Sequence, residues 1–255
     1  MSVTTRWLFV RGLSREARHW LPFPARFEHD LPGASVHLLD LPGAGTEWRR
    51  NTPLTVGGCM RDIRRRWLRL REGHPGPWAI LGISLGGMVV LRWIGEFAGD
   101  FERAVVINTS AADLSPPWRR MRLGVLPGIT RALRTADPVS REREILRATT
   151  RIFRGHDELA HTWAGYHRDQ PITRVNVLRQ LAAAARFRSP AQVGVPLMVL
   201  AAAHDPLAQA DCGRRIANKY RARFQLHPTA GHDLPLDDPG WVTERVADFA
   251  GIAGP

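Results

Sequence analysis

Apolar side chains cluster along this chain in short runs separated by longer mixed stretches. Six runs, at 7–11, 35–40, 78–83, 104–108, 196–202 and 222–227, are rich in β-branched or large apolar residues. That is the composition of strands buried on both faces. Between them, 55–71, 84–97, 208–221 and 239–251 carry helical patterns. Strands alternating with helices predict an α/β fold, a mostly parallel sheet of about six strands with helices on both faces. Neither an internal repeat nor a low-complexity segment interrupts the rhythm.

One region departs from it. Positions 111–189 hold helical patterns but no convincing strand. A structureless loop that long is rare inside a domain, so an inserted helical lid is expected there, with 1–110 and 190–255 forming the core. Asp137-Pro138 suits a helix start, because proline fits the first helical position. On the helix it opens, Ile145, Thr149, Ile152 and Phe153 fall on one side. Arg143, Arg147, Arg151 and Arg154 form a stripe on the other.

Composition adds a charge question. The chain has 255 residues, 44% apolar and 24% charged, values of a globular domain, and a formal net charge of +12. Lys219 is the only lysine. The expected lid carries fifteen arginines against seven acids, which is most of the excess. The arginine stripe has two readings: a solvated helix face in an arginine-rich proteome, or a docking surface for an acidic macromolecule. The helix pattern at 55–71 is also basic, but no nucleic-acid module accompanies it, so nucleic acid is not an expected partner. Cys59 and Cys212 lie far apart and are expected as reduced thiols. No apolar stretch is long enough to span a bilayer, and the N-terminus reads as a lead into a strand rather than a secretory signal. A cytoplasmic location is the expectation.

Chemistry concentrates where strands end. The run at 78–83 leads into Gly82-Ile83-Ser84-Leu85-Gly86-Gly87 and then a helical stretch. This is G-x-S-x-G in the strand–turn–helix context that a nucleophile elbow requires. Glycines two residues either side of Ser84 remove Cβ atoms where strand and helix approach. A serine hydroxyl is a weak nucleophile and needs a positioned base. His232, in Thr229-Ala230-Gly231-His232-Asp233, follows the last strand run, and Asp205 follows the run before it. Both fall beyond strand ends on the edge that carries Ser84, in the order serine, acid, histidine. Asp113 is the rival acid, after the run at 104–108. Asp233 is poorly placed to orient the neighbouring ring, while Asp237 and Asp238 read as a polar turn with Asp238 as an N-cap. For an oxyanion, Leu85 N–H is one donor by position, and Leu13 N–H, in the loop after the first strand, is the choice for the second. His156-Asp157-Glu158-Leu159-Ala160-His161 has the wrong spacing for a metalloprotease helix and reads as lid surface. No metal and no cofactor are called for. Trp118 and Trp163 in the expected lid are candidates for lining an acyl pocket.

Arg11-Gly12-Leu13 with Trp20, Asp40-Leu41-Pro42-Gly43-Ala44-Gly45, the elbow, Asp205 and Gly231-His232 together resemble the α/β-hydrolase family across the full chain. The resemblance implies a carboxylic ester or thioester hydrolase working through an acyl-enzyme, with Ser84, Asp205 and His232 as its catalytic residues. Trp20 would then stand near the substrate. Many members carry His-Gly where this chain has Arg11-Gly12, which puts the geometry of the oxyanion loop in question. At the level of design, the arginine-bearing lid is similar to the esterase that demethylates pimeloyl-acyl-carrier-protein methyl ester. That implies an acidic acyl carrier protein as a partner for Arg143, Arg147, Arg151 and Arg154.

Overall fold

Six strands, β1 (Thr5–Val10), β2 (Ala34–Leu38), β3 (Trp78–Ile83), β4 (Arg103–Ile107), β5 (Leu197–Ala202) and β6 (Arg223–His227), form one sheet in the order β2-β1-β3-β4-β5-β6. The structure is a computed structural model in which residues 5–251 are described. Every neighbouring pair is parallel, for example Leu8 beside Ile80 and Val105 beside Met198. β3, β4 and β5 read as continuous apolar runs because the pleat sends alternate residues into two cores. Trp78, Ile80, Ala104, Val106, Leu197 and Val199 enter one of them. Ala79, Leu81, Val105, Ile107, Met198 and Leu200 enter the other.

Helices cover both faces. The first core is closed by α2 (Val56–Glu72), α3 (Leu85–Glu96) and α9 (Ala210–Tyr220), through residues such as Trp67, Trp93 and Ile216. The second is closed by α1 (Phe23–Asp30) and α11 (Pro239–Ala250), through Phe23, Phe27, Val242 and Val246. Sequence periodicity did not predict α1. Its eight residues begin at Phe23-Pro24 and stack Phe23 and Phe27 on Phe9, so an aromatic cluster rather than a long amphipathic stripe holds it.

Between β4 and β5 the described chain contains no strand. It forms α4 (Pro117–Arg120), α5 (Leu126–Arg134), α6 (Pro138–Thr149), α7 (Asp157–Asp169) and α8 (Arg174–Arg186). Asp137 caps α6 by accepting from Ser140 N–H, and Pro138 occupies its first position, as the sequence suggested. The helix then stops at Thr149, short of the expected length. Arg151 and Arg154 therefore lie beyond its end, and the four-arginine helical stripe does not form. The reason is tertiary. The backbone N–H groups of Arg151 and Ile152 turn away to the carboxylate of Asp237, in the short helix α10 (Leu234–Asp237).

Candidate active site

The tight crossing of β3 and α3 fixes Ser84. Its φ is +57°, a left-handed conformation that costs a non-glycine residue energy and that the surrounding packing must impose. A Cβ on Gly82 would sit 2.5 Å from the carbonyl oxygen of Gly86, and one on Gly86 would collide with the carbonyl of Val10. The two glycines thus let strand and helix close around the serine. Ser84 N–H donates to Ile107 O at 2.9 Å, and Thr109 Oγ1 donates to Ser84 O at 2.8 Å. Leu85 opens α3, so its N–H has no acceptor within the helix.

The loop after β1 comes to the same place. A Cβ on Gly12 would lie 3.1 Å from Ser84 Cβ, which measures how closely that loop approaches. Ser14, at φ +54°, donates its N–H to Gln180 Oε1 of α8 at 2.8 Å, and Leu13 N–H has no acceptor among the described residues. Asp40 supports the next loop, accepting from Ala17 N–H at 2.7 Å and Thr46 N–H at 2.9 Å.

Beyond β5 and β6, Asp205 and His232 meet. His232 Nδ1 is 2.7 Å from Asp205 Oδ2, with both residues buried. The other oxygen of Asp205 accepts from Leu207 N–H at 2.7 Å and Ala208 N–H at 2.9 Å. A carboxylate so fixed accepts a hydrogen bond from Nδ1–H and leaves Nε2 as the free ring nitrogen. Burial opposes a charge on His232, but the Asp205 carboxylate, their hydrogen bond and Asp233 outweigh it and raise the ring above the ordinary histidine value. Asp113, the rival acid, lies elsewhere, accepting from Ser189 N–H at 2.7 Å and Oγ at 2.6 Å.

Ser84, His232, Leu13 and Leu85 all line one cavity of about 530 Å³, which is roofed by the helices between β4 and β5. The tryptophans do not line it. Trp20 packs in the core against Phe9, under the Arg11 guanidinium at 4.7 Å. Trp163 is buried among Leu146, Leu159 and Ala160, and Trp118 is 60% exposed. Their place as pocket walls is taken by smaller aliphatic groups, among them Met88, Met121, Ile129, Ile145 and Leu181. Two arginines of the expected stripe are paired on the surface, Arg143 with Asp157 at 2.6 Å and Arg147 with Glu144 at 2.6 Å. Arg154 donates to the carbonyl of Arg147. His156 caps α7, accepting from Leu159 N–H, while the ring of His161 meets the Asp157 carbonyl, so the two histidines serve one helix end.

Three supporting residues escaped sequence reading. Arg11 forms a buried two-pronged ion pair with Asp233, at 3.0 and 2.6 Å, tying the loop after β1 to the residue following His232. Asn108, at φ +47°, donates to the carbonyls of Gly231 and His232 and accepts from Ala202 N–H. Asp237, expected as a polar turn, is buried and accepts from Gly231, Arg151 and Ile152. Asn108 had a local signal, a turn-prone polar residue directly after a buried strand. The other two had none: the partner of Arg11 is 222 residues away, and Asp237 reaches Arg151 and Ile152 across 86 and 85 residues.

Comparison with known proteins shows the family and the fold. The sequence matches the alpha/beta hydrolase family over residues 7–245. The chain belongs to that family. Among solved structures, this α/β-hydrolase is similar to a hydrolase from Pseudomonas aeruginosa, at 21% identity and TM-score 0.73, covering 97% of this chain and 90% of that one. It is similar also to the enol-lactonase from Burkholderia xenovorans, at 19% identity and TM-score 0.72, covering 98% and 92%. A thermophilic esterase from Thermogutta terrifontis aligns at 19% identity and TM-score 0.69, covering 98% and 90%. At such identities the likeness speaks to the fold. No curated protein matches the sequence.

Proposed function

We propose that this α/β-hydrolase cleaves carboxylic esters or thioesters through an acyl-enzyme formed on Ser84. The carrying observation is the buried 2.7 Å contact between His232 and Asp205, at the cavity that Ser84 also lines. In this reading Ser84 Oγ attacks the carbonyl carbon and gives its proton to His232 Nε2, while Asp205 holds the ring and supports its charge. The N–H groups of Leu13 and Leu85 receive the oxyanion. His232 returns the proton to the leaving alcohol or thiol, then takes one from water, whose hydroxide attacks the acyl carbon; as the acid departs, His232 gives that proton to Ser84 Oγ and the enzyme is restored. Helices α4 to α8 act as a lid, and their aliphatic side chains select the acyl group.

Hydrolysis of short p-nitrophenyl acyl esters tests this directly. Ser84→Ala is expected to lower kcat by roughly ten-thousandfold or more while the protein keeps its fold. Equal turnover by both proteins would end the assignment.

A further inference from the structure

The cavity over Ser84 carries an unbalanced charge at its polar end. Of the acids in its lining, Asp233 is taken by Arg11, and Glu142 lies 2.8 Å from Arg15. Glu16 and Glu144 are matched by arginines outside the lining, Glu16 by Arg18 and Glu144 by Arg131 and Arg147. Among the described residues, the lining arginines Arg120, Arg141 and Arg174 have no carboxylate within ion-pair distance, and the charge of Glu142 reaches Arg141 only from further off. Arg120 is satisfied otherwise, donating to the carbonyls of Ala184 and Ala185.

Arg141 is not satisfied. Its Nη2 is buried and has no hydrogen-bond partner among the described residues. The Arg15 side chain, in the same lining and close enough for its charge to act on Arg141, is only 8% exposed, is stacked over Trp163 at 4.6 Å, and also leaves Nη2 without a partner among the described residues. A buried donor left unmet is costly; at this cavity two such guanidinium donors stand against one unmet acceptor, Glu142 Oε2, so the donors are in excess and suit an added acceptor group. The nearby histidines add no cation: burial and Arg15 hold His19 well below its ordinary value, and burial and Arg141 lower His167.

We propose that Arg141 and Arg15 form an anion subsite of the cavity, which binds an ionised carboxylate carried by the ester substrate away from its scissile carbonyl. The forked guanidinium matches a carboxylate in shape as well as charge. This inference rests on the ester-hydrolase reading and narrows it from acyl esters in general to half-esters of dicarboxylic acids. The aliphatic wall formed by residues such as Ile129, Ile145 and Leu181 suits the methylene chain between the two ends.

The test separates binding from turnover by using Ser84→Ala protein, with monomethyl adipate and its neutral counterpart dimethyl adipate titrated calorimetrically at low salt. The monoanion should bind more tightly, by roughly ten- to a hundredfold as charge-assisted hydrogen bonds allow. Arg141→Gln in the same background should bring the two affinities together, and added salt should erode the preference less than it would at an exposed site. Arg15→Lys, which keeps the charge but loses the fork, should lower the preference partway, and thermal melts report whether each variant is folded. Equal binding of the two esters, no binding of either, or a preference that survives Arg141→Gln would overturn the subsite. If the unsubstituted protein hydrolyses no ester yet monomethyl adipate binds through Arg141, the hydrolase reading fails and the subsite stands. If neutral esters are hydrolysed without any monoanion preference, the reverse holds.

Discussion

In the proposed mechanism two titratable residues, His232 and Asp205, serve Ser84, and their contact makes a pH prediction. His232 can accept a proton only when neutral, and its pKa is raised in this structure because Asp205 and Asp233 outweigh the effect of burial. Activity should therefore fall as pH drops, with the midpoint above the ordinary histidine value. Asp205→Asn removes the carboxylate that does most of the raising. The midpoint should move to lower pH, and kcat should fall roughly a thousandfold or more because the ring loses its orientation. A kcat/KM profile across the neutral range, for both proteins, checks both parts. A midpoint that stays put in Asp205→Asn would break the link between the pair and the base. Residues that act through local backbone rules were readable in the sequence: Gly82 and Gly86 frame a strained serine wherever a strand turns into a helix this tightly. Arg11 was readable only as a departure from a pattern, since the partner that explains it, Asp233, is 222 positions away.

At the level of elements, the loop after β1 and the loop after β6 are joined by that Arg11–Asp233 pair, buried on both sides. Removing one member leaves the other charged and unpaired in the interior. Arg11→Met should cost about 3–5 kcal/mol, and Arg11→Met combined with Asp233→Leu should recover most of it, because two matched apolar groups carry no desolvation penalty. Urea denaturation of the three proteins decides this, and an additive double variant would show that the pair is not the cause. The helices themselves divide by length. α2, α3, α9 and α11 have eleven or more residues and apolar faces toward the sheet, so periodicity finds them. α1 has eight residues held by aromatic stacking, and α6 ends where a distant carboxylate captures the following backbone, which no local pattern encodes.

For the whole molecule, the decisive junction is between the sheet edge and the helices that span β4 to β5. Asp237 sits at it, accepting from Gly231 next to His232 and from Arg151 and Ile152 after α6, while Asp233 N–H donates to Thr149 O. Asp237→Ala leaves those buried N–H groups unmet and should cost about 1–3 kcal/mol. Amide hydrogen exchange should quicken at 149–152 before it does so in the sheet, and uniform loss of protection would show that the junction is no separate hinge. The sequence alone determined the parallel sheet, the elbow at Ser84 and the order of Asp205 and His232, because each follows from short-range rules: side-chain period, steric room at a turn, and position after a strand. Tertiary structure decided what those rules do not reach. It placed Trp20 and Trp163 in packed cores and left the cavity wall to smaller side chains. It broke the arginine stripe at Thr149 and buried the Arg141 Nη2 at the cavity. The physical reason is the same in each case: burial and ion pairing depend on which distant residues share a space, and that is settled only when the chain has closed on itself.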